Sequence, residues 1–321
     1  MEPTMTQTSQ HDLSQYPYID KGLEGIVAFS SRKSFIDGAK GELIYSGYNI
    51  EVLAENATFE EVCFLLWSER LPNQSELDDL HEKLIAEREI PAVVYAYLNA
   101  TDKKAEPMSV LRTAVSMLSD SDPEAEVYTP EANLRKSIRM TAKFPTIIAA
   151  FDRIRNGKEP VAPATEGSTA YNFLYMLNGE APGKHAERVM DLLLVTHAEH
   201  GMNASTFTAR AVASTMSDIH SAITGAIGSL KGPLHGGANT AVMNMLKGLD
   251  KNTDIEAFVK DKLARKEKIM GFGHRVYKTF DPRATLLRKM AKSLAREVEM
   301  EYLYEWSETI LRVMKEEKNI D

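Results

Sequence analysis

In the stretch "ATFEEVCFLLWSERLP", Thr58 and Glu61 stand at the head of an apolar run with the spacing of a helix capping box, and Pro72 closes the run after Leu71. This grammar recurs almost to the end of the chain. "EPMSVLRTAVSML" opens on Pro107 and lines up Met108, Leu111, Val115 and Leu118 on one helical face. "EANLRKSIRMTAKFPTIIAAFDRIRNGK" repeats the pattern across Pro145, which lacks a backbone N–H and is expected to kink one helix or separate two. "GSTAYNFLYMLNGEAPGKHAERVMDLLLVTHAEH" holds two more helical stretches, divided by the turn-forming "NGEAPG" at 178–183. Further helices follow in "TAVMNMLKGL", "IEAFVKDKLARKEKIMG" and "RATLLRKMAKSLAREVEMEYLYEWSETILRVMKEEKN", with no repeat of fixed period. Such a chain is mainly α, and its methionine and aromatic stripes are core.

One segment breaks the pattern. In "GLEGIVAFSSRKSFIDGAKGELIYSGYNI", β-branched and aromatic residues alternate with Gly- and Asp-containing turns, which predicts one or two short hairpins. The polar residues 1–20 before it read as a flexible tail. With 321 residues, 43% of them hydrophobic, two domains are expected. A formal net charge of −8 argues against a general nucleic-acid or anionic-membrane partner, although a local basic patch could hold phosphates. The N-terminus lacks a cationic start followed by an apolar stretch, and "ERVMDLLLV" is interrupted by Asp191, so neither a secretory signal nor a membrane helix is expected. The single cysteine, Cys63, lies in an apolar run and reads as a buried thiol in a reducing compartment. Together these features predict a cytoplasmic protein.

The chemistry falls to three histidine clusters: "THAEHGMNAST", "GPLHGGAN" and "GFGHRVYKTFDPRA". Each is expected between helices or at their ends. Flanking glycines admit backbone geometries closed to other residues and let a ligand approach the main chain. A histidine so placed can stay neutral, with one nitrogen fixed by a partner and the other aimed at substrate. A metal site is disfavoured, because His197, His200, His235 and His274 lack the spacing of known zinc motifs. A Gly-x-Ser-x-Gly elbow is absent too. Carbonyl and carboxylate chemistry remains. Arg283 can fork onto a carboxylate, and Lys266, Lys268, Arg275 and Lys278 form a cationic cluster suited to phosphates.

These three motifs, in this order and together with "LRTAVSML" and "YNFLYML", closely resemble the citrate synthase family from about Gly22 onward. The resemblance implies a mainly α, multi-helical two-domain fold with a short N-terminal β-hairpin region. Residues 21–230 would form a large domain, and 231–321 a small one that closes over substrate. It implies a homodimer and an acyltransferase that condenses acetyl-CoA with oxaloacetate to give citrate and CoA, with coenzyme A as cosubstrate and no permanently bound cofactor or metal. His235 would hold the thioester carbonyl while the methyl group loses a proton. His274 would polarise the ketone of oxaloacetate. His200 and Arg283 would bind oxaloacetate, and Lys278 would meet CoA, with Lys268, Gly271 and Gly273 as further contacts.

The sequence also departs from the family. The aspartate that takes the methyl proton lies there in an "NVD" context, which does not occur in this sequence; nor do two further substrate arginines. Losing a general base costs about 10² to 10⁴ in rate. The expectation is therefore an impaired citrate synthase or a non-catalytic CoA-binding dimer, and 2-methylcitrate synthase chemistry with propionyl-CoA is an alternative. Glu106, where the family often has histidine, and His220, where an aromatic is usual, are expected at a helix surface or interface.

Overall fold

Leu43 and Tyr45, two positions apart, are both fully buried, and this alternation fixes the face of a small sheet. The computed structural model describes residues 29–272, 276–277 and 279–318. Phe29–Arg32 is irregular. In the unit from Lys33 onward, strands β1 (Ser34–Asp37), β2 (Glu42–Tyr45) and β3 (Tyr48–Asn49) pair antiparallel in that order, with Phe35 opposite Ile44 and Ile36 opposite Leu43. The predicted hairpins are therefore present. Between β2 and β3, Ser46 (φ 44°) and Gly47 (φ 94°) form a two-residue turn whose left-handed backbone matches strand twist.

Helices make up the rest of the regular structure. Thr58 and Glu61 form the expected capping box: Thr58 N–H donates to Glu61 Oε2 (2.7 Å), and Glu61 N–H donates to Thr58 Oγ1 (3.3 Å). Helix α2 (Phe59–Ser68) ends earlier than Pro72 suggests, because Glu69 turns left-handed (φ 61°) and its N–H closes on Leu65 O. Before it lies α1 (Ile50–Asn56), and after it come α3 (Gln74–Ala86) and α4 (Ala92–Ala100). Glu106 caps α5 (Pro107–Met117), accepting from Met108 N and Ser109 N, and is exposed as expected. One correction concerns Pro145. It separates nothing: α6 runs unbroken from Pro130 to Arg155. Core packing on both sides of the proline, from Met140 to Phe151 and Ile154, offsets the missing hydrogen bond.

The largest core joins α4, α5, α6 and α10 (Ile219–Leu230) through Val94, Leu98, Val115, Ile147, Phe151 and Ile227. Gly179, left-handed at φ 86°, ends α7 (Thr169–Asn178) ahead of α8 (Lys184–His197). Cys63 is buried, which pushes its thiol well up. His220 is not at a surface, since only 2% of it is exposed. It lies in α10 between Asp122 and Asp218, whose carboxylates give its imidazole a polar pocket.

A separate core comprises Leu246, Ile255, Val259, Trp306, Ile310 and Val313, from α11 (Gly237–Lys247), α12 (Ile255–Ala264) and α14 (Glu301–Lys318). The intervening α13 (Pro282–Glu297) packs against α1 and α8. Among the described residues, no helix is long and apolar enough to cross a membrane.

Candidate active site

Helix α8 stops at His197, and α9 (Ala204–Ala213) starts under an Asn203 cap, with Thr206 N–H donating to Asn203 Oδ1 at 3.0 Å. The six residues between them carry His200. Likewise His235 occupies the turn between α10 and α11, where its N–H donates to Gly232 O (3.0 Å) and Gly236 N–H donates to Leu230 O (2.9 Å). The neighbouring glycines act differently from expectation. Gly236 has an ordinary φ of −67°, and what it supplies is space, because a Cβ there would lie 2.6 Å from Leu230 O. Gly237 is nearly as tight, its Cβ falling 3.1 Å from Gly232 O. The turn is wound too closely for a side chain at Gly236 and leaves little room for one at Gly237.

Two hydrogen bonds link the sequence motifs. Ser205, in the first turn of α9, places Oγ 2.7 Å from His235 Nε2. Tyr277 places its hydroxyl 3.1 Å from His200 Nε2, with the two rings edge to face at 5.5 Å. Burial and the nearby Asp281 carboxylate push the Tyr277 phenol up to about 12, so it is protonated at neutral pH. "AEHGMNAST" is thus the hub, bonded on one side to the His235 turn and on the other to the segment leading to Arg283. Ser205 and Tyr277 lie within the motifs, yet spacing alone did not single them out. No sequence period reports a contact across 30 or 77 positions.

Arg283 forks onto Asp281, with Nε to Oδ1 at 3.0 Å and Nη2 to Oδ2 at 2.6 Å. Asp281 also caps α13 by accepting from Arg283 N–H. Burial pushes the Asp281 carboxyl up, but the guanidinium outweighs it and holds the group below the usual carboxylate range. Tyr45 and Tyr277 lie in the field of Arg283. Tyr45 donates its hydroxyl to Thr196 O (3.2 Å), and burial pushes its phenol well up. Glu199, beside His200, is raised by burial despite the bond from Gly201 N–H.

Of the other predicted residues, Lys268 is exposed, and Gly271 is left-handed at φ 98°, with its Cβ position 3.2 Å from Val242 Cγ2. Gly273, His274 and Lys278 lie outside the described residues, as does Arg275. His197 is exposed, its Nδ1 bonded to Leu193 O (2.7 Å), and it lines an apolar cleft of about 750 Å³ together with Trp67, Phe144, Pro145, Ile148 and Phe173. Among the described residues, no three His, Cys, Asp or Glu side chains converge to hold a metal.

A mainly helical fold thus pairs His235 with Ser205, His200 with Tyr277 and Arg283 with Asp281. The family model described as "Citrate synthase, C-terminal domain" matches residues 22–321. The chain is 48% identical over 302 residues to citrate synthase 2 of Bacillus subtilis, covering 94% of this chain and 80% of that one. It is 47% identical over 296 residues to a citrate synthase of Deinococcus radiodurans, covering 92% and 78%. The solved ternary complex of carboxymethyl coenzyme A and oxaloacetate with a citrate synthase from Thermoplasma acidophilum superposes with a TM-score of 0.87 at 29% identity, covering 93% and 79%. The chain belongs to the citrate synthase family.

Proposed function

We propose that this chain condenses acetyl-CoA with oxaloacetate to citrate and CoA, the entry reaction of the tricarboxylic acid cycle, in the cytoplasm. The observation that carries this reading is the Ser205–His235 pair. A thioester methyl group is a poor acid, and its enol forms only if a donor meets the developing oxygen charge. With Ser205 donating its hydroxyl to Nε2, the other ring nitrogen of His235, Nδ1, is left to serve as that donor. His200, held by Tyr277, and Arg283, held by Asp281, are the proposed grips on oxaloacetate. His274 is the proposed acid at its ketone, and Lys278, Lys268, Gly271 and Gly273 are the proposed contacts to CoA.

Residues 21–230 and 231–321 are proposed as the large and small domains. In support, every member of the Leu246 core follows position 231, whereas the other cores end by Ile227. Closing the small domain would exclude water from the reacting groups. A second copy of the chain is proposed to cover α9, none of whose residues is buried within one chain. Light scattering at twice the monomer mass would support that assembly.

The test is thiol release from acetyl-CoA with and without oxaloacetate. Release that needs oxaloacetate, and that is lost in His235→Ala, supports the proposal. CoA binding by calorimetry without any release indicates a non-catalytic CoA-binding dimer, and absence of both overturns the reading. Propionyl-CoA in the same assay tests the 2-methylcitrate alternative, since one methylene is worth only about 1–3 kcal/mol in a pocket.

A further inference from the structure

Gly38, in the turn between β1 and β2, has no room for a side chain: a Cβ there would lie 2.1 Å from Val276 O, 2.8 Å from Val276 C and 3.4 Å from Tyr277 Cα. Its φ is not left-handed, so the glycine serves contact and not conformation. Three residues on, Gly41 is left-handed (φ 68°), and its Cβ would lie 2.9 Å from Phe280 O. One turn therefore presses on the main chain at 276 and at 280, on either side of the tyrosine that holds His200. Asp37 stiffens the turn, its Oδ1 accepting from Ala39 N (3.0 Å) and Lys40 N (3.1 Å).

The same sheet reaches the other side of the site. A Cβ on Gly201 would lie 3.4 Å from Ile36 Cδ1 and 3.9 Å from Ser34 Oγ, and Tyr45 donates its hydroxyl to Thr196 O. Both the His200 segment and the main chain at Val276, Tyr277 and Phe280 thus meet one hairpin. Main-chain contact matters here because, unlike the end of a flexible side chain, peptide groups cannot swing aside. A shift of about 1 Å in a reacting group can cost about 10²-fold in rate.

We infer that the Asp37–Gly41 turn is a positioning device for the main chain at Val276, Tyr277 and Phe280, with Gly38 as its principal positioning residue. This rests on the proposed condensation only for its kinetic consequence. The test compares G38A with G47A in the full chain. Gly47 (φ 94°), in the neighbouring β2–β3 turn, has nothing within 4 Å of a Cβ, so alanine there strains the same sheet without touching the segment. Amide hydrogen exchange across 276–281 is read together with oxaloacetate-dependent thiol release. G38A should speed exchange there about tenfold and lower kcat about 100-fold, while KM for acetyl-CoA changes less than threefold. G47A should lower Tm yet leave exchange and kcat as in wild type. D37A adds no atoms, and should speed exchange about threefold even if G38A does not fold. Wild-type exchange in both G38A and D37A, or equal losses in G47A, would overturn the inference. Wild-type protein without turnover would count against the proposed activity, whereas exchange would still decide this point.

Discussion

Ser205 Oγ and His235 Nε2 lie 2.7 Å apart, and this contact joins the first turn of α9 to the turn before α11. The imidazole is thereby held in rotation, although its glycine neighbours provide no side chains to hold it. Removing the hydroxyl should loosen it. S205A is expected to lower kcat about three- to tenfold, the value of a neutral hydrogen bond of about 0.5–1.5 kcal/mol. Steady-state kinetics checks this, with Tm as the control for folding.

Arg283 meets Asp281 through two parallel hydrogen bonds, a geometry that lysine cannot reproduce. R283K keeps the charge and loses the fork. KM for oxaloacetate is expected to rise about tenfold or more, with a smaller change in KM for acetyl-CoA. An unchanged KM for oxaloacetate would remove Arg283 from the binding role.

Burial lowers the His220 pKa below its ordinary value of 6.5; Asp122 and Asp218 oppose this, while Lys136 and Arg139 add to it. The unfolded chain therefore takes up this proton at a higher pH than the folded one. Stability from this group is complete above the ordinary value and falls as pH drops through it toward the folded pKa. H220F should flatten that slope: its Tm difference between pH 7.5 and 5.5 should be smaller than that of wild type.

Arg88, 4% exposed, donates to the carbonyls of Ala164, Glu166, Gly167 and Ser168, and so ties the segment before α7 to the helical core. R88M would leave those acceptors unpaired beside an apolar stem. A loss of about 3 kcal/mol or more in urea unfolding is expected. A loss below about 1 kcal/mol would show that water replaces the guanidinium at all four.

Helix starts were legible because caps are local. The Thr58–Glu61 box and Pro107 at the head of α5 concern residues within one turn of each other. Ends were less legible, as α2 shows by stopping at a left-handed Glu69 ahead of the proline. Pro145 was misleading because its local cost is offset by packing with residues far along the chain. His220 was misplaced for a similar reason: a polar residue reads as surface unless its buried partners, one of them nearly a hundred positions earlier, are known.

The sequence by itself determined a mainly helical chain with a small hairpin region, and marked the three motifs that hold the proposed site residues. Those are properties of spacing and residue type within one segment. Tertiary structure decided which segments meet: Ser205 with His235, Tyr277 with His200, and the Gly38 turn with the main chain at Val276. Such contacts form when distant elements pack, and no local period encodes them.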